Sequence, residues 1–337
     1  MTVKLVFSII FAIYVLAFTF HATILGKTVY GDGLYYYNWL QTTVGDGQIL
    51  LNNKYSIGPA LFWSPFYISA GVNLYHLRSE AADELFVGFA SVFYAITGLV
   101  LLYRLLLREF SEPTSLLTIL LIAFATNLLF YGSIDPVNSH SLSFFTVVLF
   151  LSFLKHKSWF ARGIALGLVG TVRPQDMVVG FLVRRVTWQP FFTGLSIGFL
   201  PQILAWQWAF GSPVALPYLR QGEGFSFPHV LGVLFAPSNG LFLWTPVILL
   251  GLIGLWFYKK SFAIIFLLEL LIVASWSTWW QGASYSGRMF VGMLPLLAFG
   301  IAQVLSKLKI PKNALYLLVT TLSSINALLI VYFLATR

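Results

Sequence analysis

From Leu5 to Leu25 the chain runs without an acidic or basic residue, His21 aside, and almost without a polar one. A helix needs about 20 apolar residues to cross the hydrocarbon of a bilayer, and Val3–Leu25 reaches that length. Inside lipid every backbone N–H and C=O must be satisfied within the segment, which makes such a run a helix. It reads as a span and not as a cleaved leader, because the apolar run is long and lacks a small-residue cleavage site. Hydrophobic residues make up 58% of the chain and charged residues 9%, against roughly 45–50% and about 25% in soluble domains. Mean hydropathy is +0.84. A soluble fold this apolar would expose large greasy patches, which excludes a soluble enzyme, a disordered protein and a coiled coil.

Further spans are expected at Leu85–Leu107, Ser115–Tyr131, Ser139–Leu154, Pro190–Phe210, Leu241–Tyr258, Phe262–Trp276, Met289–Leu305 and Ala314–Leu334. Two segments are ambiguous. Ile57–Leu77 is apolar but carries Gly58, Pro59, Pro65, Gly71 and Asn73, and Gly163–Val183 is broken by Arg173-Pro174-Gln175-Asp176. Cytoplasmic loops carry the excess of Lys and Arg. With 57–77 laid along the outer surface and 163–183 folded as a short hairpin, 13 of the 20 basic residues fall inside, and seven of the 11 acids fall outside. The expectation is an all-α polytopic bundle of about 10–11 membrane helices or half-helices, forming one integral membrane domain over residues 1–337. The N-terminus is cytoplasmic, in a plasma or inner membrane. Long extracytoplasmic loops run over about 26–84 and 211–239, with no soluble domain.

The net charge of +9 belongs with those short basic loops; no basic run with interleaved aromatics suits nucleic acid. The absence of cysteine rules out a disulfide framework, a zinc–thiolate site and thiol catalysis. No phosphate-binding loop, GxSxG, HExxH or dinucleotide fingerprint is present. Aromatics reach 18%. Interfacial belts account for part of them; the rest are available to a groove for lipid or sugar.

The outer segments hold the residues fit for chemistry. Tyr30-Gly31-Asp32-Gly33-Leu34-Tyr35-Tyr36-Tyr37 sets an acid between two glycines ahead of an aromatic run. This reads either as a ligand-facing carboxylate or as an Asx turn entering an aromatic belt. Downstream come Gly45-Asp46-Gly47 and Asn53-Lys54-Tyr55-Ser56-Ile57-Gly58-Pro59-Ala60-Leu61-Phe62-Trp63-Ser64-Pro65-Phe66. Then follow Tyr131-Gly132-Ser133-Ile134-Asp135-Pro136-Val137-Asn138-Ser139-His140, Gly163 to Pro174, Asn239 to Pro246, and Trp279-Trp280-Gln281-Gly282-Ala283-Ser284-Tyr285-Ser286-Gly287-Arg288.

In this order these segments resemble the GT-C glycosyltransferases that use polyprenyl-phosphate-linked sugars, a superfamily holding protein O-mannosyltransferases and lipid A aminoarabinose transferases. The likeness covers most of the chain. Ser56 stands where the family usually has proline, and a single acid stands where many relatives carry two adjacent ones. The resemblance implies a GT-C type fold and transfer of a sugar from a polyprenyl-phosphate donor to an extracytoplasmic lipid or glycan hydroxyl, with inversion. Asp32 matches the family's first-loop acid and would act as general base.

The chemistry of that reaction selects the other candidates. A lipid-phosphate leaving group needs cations, and the planar guanidinium fork suits phosphate. Arg288, Arg173, Arg220 and Lys54 are therefore the candidates for the donor phosphate, with Tyr55, His140, Trp280 and Tyr285 beside phosphate or sugar. Asp46, Asp135 and Glu223 are possible supporting acids, and a divalent metal is a possible cofactor, which His140 could bind together with Asp135. Each also has a structural alternative: Arg288 snorkelling to headgroups, Arg220 paired with Glu223, Arg173 paired with Asp176, His140 capping a helix, Trp280 and Tyr285 as belt residues. Glu269 is expected to face the bundle interior. The expected partners are the lipid-linked donor, the acceptor and membrane lipids, with no nucleic acid. The rival readings are a transporter or flippase of a lipid-linked or polar substrate and an inactive GT-C-like scaffold.

Overall fold

The computed structural model describes residues 2–44, 49–50, 53–73, 80–308 and 311–336. Every named element among them is helical. In chain order these are α1 (Val3–Leu25), α2 (Gly33–Val44), α3 (Gly58–Asn73), α4 (Glu80–Leu106), α5 (Glu112–Phe124), α6 (His140–Phe153), α7 (Trp159–Val172) and α8 (Trp188–Phe210). The short α9 (Pro217–Arg220), α10 (Val230–Phe235) and α11 (Leu241–Trp244) precede α12 (Val247–Tyr258), α13 (Lys260–Ser275), α14 (Leu294–Lys307) and α15 (Lys312–Thr336). A π-helical turn covers Phe130–Ile134, and 3-10 helices cover Pro174–Leu182 and Arg288–Met293.

Local chemistry explains the ends. The Thr2 hydroxyl accepts from the Leu5 N–H at 3.4 Å and caps α1, which stops at Gly26 in the left-handed region, φ 65°. Ser158 caps α7 through the Ala161 N–H at 3.2 Å. Arg173 leaves the helix as an extended residue because it precedes Pro174. The 3-10 helix that follows doubles back along α7, with Met177 against Gly170 and Gly180 against Leu166.

Four helices among the described residues are long and apolar enough to cross a membrane: Val3–Leu25, Ala81–Leu106, Arg288–Lys307 and Asn313–Thr336. The apolar helices Glu112–Phe124, His140–Phe153, Trp159–Val172 and Val247–Tyr258 are shorter. Several expected single spans are interrupted. Ser115–Tyr131 breaks after Phe124, Leu241–Tyr258 breaks at Thr245-Pro246, and Met289–Leu305 begins as a 3-10 turn. The 57–77 region is described as far as Asn73. Its described helix, α3, is packed into the side of the bundle. The Trp63 indole is fully buried and donates to Ser91 at 2.8 Å, the Tyr94 hydroxyl donates to the Phe62 carbonyl at 3.0 Å, and Phe62 meets Phe145 edge-on. At about 1.5 Å per residue α3 is about 24 Å long, short of a full crossing.

Two seams of small residues draw helices into backbone contact, the usual way for spans to associate where lipid removes the hydrophobic drive. Gly163 and Gly167 of α7 face Gly194 and Gly198 of α8; a Cβ at Gly163 would lie 2.0 Å from the Phe191 carbonyl oxygen. On α12 and α14, a Cβ at Gly254 would lie 1.9 Å from the Gly300 carbonyl oxygen. Gly254→Ala should therefore lower stability by about 1–3 kcal/mol through overpacking. Gly224→Ala, whose added methyl meets nothing closer than 3.5 Å, should stay within about 0.5 kcal/mol. Thermal unfolding of the two variants in the same detergent makes the comparison.

Candidate functional site

At one end of the bundle the chain between α1 and α2 turns on Gly31, whose φ of 55° suits glycine. Gly33 opens α2 where a Cβ would lie 2.3 Å from the Val137 carbonyl oxygen. Between them sits Asp32. Its Oδ2 pairs with Arg288 at 2.8 Å and its Oδ1 accepts from the Tyr55 hydroxyl at 2.7 Å. The Asp32 side chain is 34% exposed, so the carboxylate is fixed yet reachable. Tyr55 is stacked on Tyr35 at 4.9 Å between ring centroids and meets the edge of Tyr36 at 5.0 Å. Burial, then the charge of Asp32, raises the Tyr55 phenol pKa above its ordinary value, which keeps it a donor.

Arg288 reaches this position from a tense loop. Gln281 (φ 59°), Gly282 (φ 68°) and Ser286 (φ 52°) are all left-handed. Such a conformation costs a non-glycine residue about 1–3 kcal/mol and persists only where neighbours enforce it. Here the Gln281 side-chain oxygen accepts from the Met289 N–H at 3.1 Å, Ser286 Oγ is bonded to Thr245 Oγ1 at 2.7 Å, and Asn127 donates to the Gly287 carbonyl at 3.1 Å.

A second layer lies beneath. Ser139 Oγ accepts from the Tyr36 hydroxyl and from Arg173 Nη1, both at 3.0 Å, and the same Nη1 faces His140 Nδ1 at 3.0 Å. The other arm of Arg173 touches Gln175 Oε1 at 3.3 Å and the Met289 sulfur. Gln175 donates to Glu269 at 2.6 Å, and Ser143 donates to Asp176 at 2.5 Å. The Arg173–Asp176 pair is present but long, 4.0 Å. Among the described residues, Arg173 Nε, Arg288 Nε, Asp176 Oδ1 and Glu269 Oε2 are buried without a hydrogen-bond partner.

To one side, Lys54 is ion-paired with Glu223, while Glu223 Oε2 accepts from the Trp276 indole at 3.0 Å and Thr278 at 3.2 Å. Burial alone would raise the Glu223 pKa; the hydrogen bonds and charge of Lys54, with the Trp276 bond, outweigh it and hold the carboxylate below its ordinary value. Lys54 Nζ also sits 5.2 Å from the Tyr218 ring centroid. Asp135, in the turn before α6, is bonded by the side chains of Tyr30 and Asn138. Burial pushes its carboxyl up to about 7 against the opposing charge of Arg288.

The structure thus brings together Asp32, Tyr55, Arg288, Arg173, His140, Lys54, Glu223 and Asp135. It separates others. Arg220 is exposed over the Phe210 ring, 5.6 Å from its centroid, and does not pair with Glu223, which Lys54 occupies. Trp280 is half exposed beside Trp279 and gives its carbonyl to Asn239. Tyr285 is fully buried, stacked on Phe130 with its hydroxyl donating to Asn326 Oδ1 at 2.7 Å, so it serves the core and offers no face to a sugar. Asp46 lies outside the described residues.

Tyr36, Ser139, Gln175, Gln281 and Tyr218 belong to the site without having been singled out one by one; the Tyr35-Tyr36-Tyr37 run and the Gln281-Gly282 step were the available signals. No group of three or more His, Asp or Glu able to hold a metal comes together among the described residues, and Asp32 is already shared by Arg288 and Tyr55. The residues around it do not fit a divalent ion. A separate apolar cavity of about 350 Å³ lies between Phe181, Leu182 and the start of α13.

No protein-family model and no curated protein matches the chain.

The Asp135 position has a consequence for stability. Its folded pKa is about 7, against about 3.9 for an unfolded aspartate. Between about pH 4 and pH 7 the folded state therefore binds the extra proton, and stability falls as pH rises through that window. Asp135→Asn should remove this component, so the difference in thermal midpoint between variant and parent grows from pH 4 to pH 7 and is flat above. A difference independent of pH would show that Asp135 does not titrate there.

Proposed function

We propose that this protein is a membrane glycosyltransferase of GT-C type. It moves a sugar from a polyprenyl-phosphate donor to a lipid or glycan hydroxyl on the extracytoplasmic side, with the N-terminus in the cytoplasm. The observation that carries the reading is the Asp32 carboxylate, one-third exposed and fixed by Arg288 at 2.8 Å and Tyr55 at 2.7 Å. A hydroxyl attacking an anomeric carbon must lose its proton, and a positioned carboxylate takes it. The departing phosphate gains negative charge, and cations already in place stabilise that charge.

In this reading Arg288 has two states. Without donor it neutralises Asp32. When the phosphate arrives, the guanidinium turns its fork to the phosphate oxygens and leaves Asp32 free to accept the proton, with Tyr55 still holding Oδ1. Arg173, backed by Ser139 and His140, supplies the second positive charge. Attack on the face opposite the leaving phosphate inverts the anomeric centre. Lys54 and Glu223 hold the 53–57 and 217–224 segments together at the rim.

A second reading, passage of a lipid-linked or polar substrate through the bundle, draws on the buried chain His140–Arg173–Gln175–Glu269, since polar groups inside spans commonly line transport paths. One assay separates them. Purified protein in detergent, with labelled polyprenyl-phosphate sugars and a lipid extract as acceptor, should release the polyprenyl phosphate and label the acceptor. Asp32→Asn should lower that rate about 10²–10⁴-fold while the protein stays folded, as its thermal unfolding shows. Arg288→Lys should lose most of the rate, because a point charge does not replace a bidentate fork. Undiminished transfer by Asp32→Asn removes this carboxylate as the base. Flux across sealed vesicles with no bond cleaved sinks the transferase reading in favour of transport.

A further inference from the structure

The segment joining α8 to α10 carries its apolar side chains outward. Phe225, Phe227 and Leu231 are 72%, 83% and 75% exposed, while Glu223 on the same stretch turns inward to Lys54, Trp276 and Thr278. The height of this segment follows from the helices beside it. α8 and α13 start at the same end of the bundle: Leu182, which ends the 3-10 helix six residues before α8, and Ser261 at the start of α13 line one cavity there. At about 1.5 Å per residue α8 rises about 33 Å to Phe210, whereas α13 rises only about 22 Å to Ser275. The segment is tied to the top of α13: the Ser226 N–H donates to the Ser275 carbonyl at 2.6 Å, Ser277 to Gly224 at 2.7 Å and His229 to Ala274 at 2.8 Å. After passing Phe210 the chain has therefore come back down by about 10 Å. Its apolar side chains continue the outward stripe of Ile264, Leu267 and Leu271 on α13, with Phe225 in edge contact with Trp276 at 5.2 Å.

We infer that residues 219–231 form a membrane-dipping edge whose outer face is covered by phospholipid. Phe225, Phe227 and Leu231 are set among the acyl chains, and Arg220 lies at headgroup level. The heights match a hydrocarbon core of about 30 Å. Arg220 sits beside Phe210, where a guanidinium reaches lipid phosphate along an apolar stem. The patch adjoins the outward apolar side chains of α13, Ile264, Leu267 and Leu271, through the Phe225–Trp276 contact and the hydrogen bonds to Ala274 and Ser275. One stretch of chain then has bilayer on one side and the Lys54–Glu223 pair on the other, so the rim of the Asp32 site is directly bordered by lipid. The inference rests on the chain lying in a bilayer and not on the sugar-transfer reading.

The chain has no cysteine, so Phe225→Cys, Phe227→Cys and Leu231→Cys each accept a single nitroxide on an outward side chain. Leu267→Cys serves as a lipid-facing reference and Lys27→Cys as a water-facing one. In phosphatidylcholine vesicles, power saturation with oxygen and with a water-soluble nickel chelate reads the surroundings of each label. The oxygen-to-nickel collision ratio at 225, 227 and 231 should match that at 267 and exceed that at 27 several-fold. Ratios equal to that at 27 would overturn the inference. So would spin–spin broadening at 227 that disappears on dilution with unlabelled protein, which would make a second copy the occupant. Thermal midpoints equal to that of the unlabelled chain show that the labelled proteins are folded.

Discussion

A carboxylate shared between a guanidinium and a phenol organises the upper part of this protein. In a setting of low dielectric an unpaired carboxylate is costly to bury, so Asp32 and Arg288 each depend on the other. The rest of the local structure is arranged to bring them together: a left-handed glycine on one side, three left-handed residues at 281, 282 and 286 on the other, and a stack of tyrosines that fixes the phenol. Backbone tension in the Arg288 loop is sustained by bonds to α12's approach, to the α5–π turn and to Met289. The carboxylate of the pair is one-third exposed, which distinguishes it from the fully enclosed acids Asp176 and Glu269.

Those two acids belong to a continuous polar path. Tyr36, Ser139, Arg173, Gln175 and Glu269 connect the exposed layer to the bundle interior through successive hydrogen bonds. Gly292 is required for this packing, since a methyl there would lie 2.6 Å from an Asp176 oxygen and 2.4 Å from Ser143 Oγ. The 3-10 turn Arg288–Met293 thus presents a guanidinium to Asp32, a thioether to Arg173 and a bare backbone to Asp176. One short element joins both layers.

Length and apolarity made the helical bundle readable from the residues, and the break at Arg173-Pro174 made the α7 hairpin readable too. The interruptions at Thr245-Pro246, after Phe124 and over 288–293 were not, because hydrophobicity continues through them and carries no record of backbone angle. The packing of α3 against α4 and α6 was hidden for a related reason: its residues are mostly apolar, and a segment of that kind suits lipid and protein equally. Asp32, Tyr55, Arg288, Arg173 and His140 stood out because each is costly or unusual at its place along the chain. Ser139, Gln175 and Gln281 did not, since an ordinary polar residue becomes part of a site only through what folding sets beside it. Tyr55 and Tyr285 look alike in a sequence; burial depth alone assigns one to the site and the other to the core.

The glycine seams have a mechanical meaning. Helices whose backbones touch, with no side chains between them, have no lubricating layer and resist shear. The α7–α8 and α12–α14 contacts therefore act as two stiff plates. A change of shape that admits a bulky molecule to the Asp32 end then falls to irregular segments outside those plates, such as residues 53–57, 211–229 and 281–288, while the plates themselves keep their form.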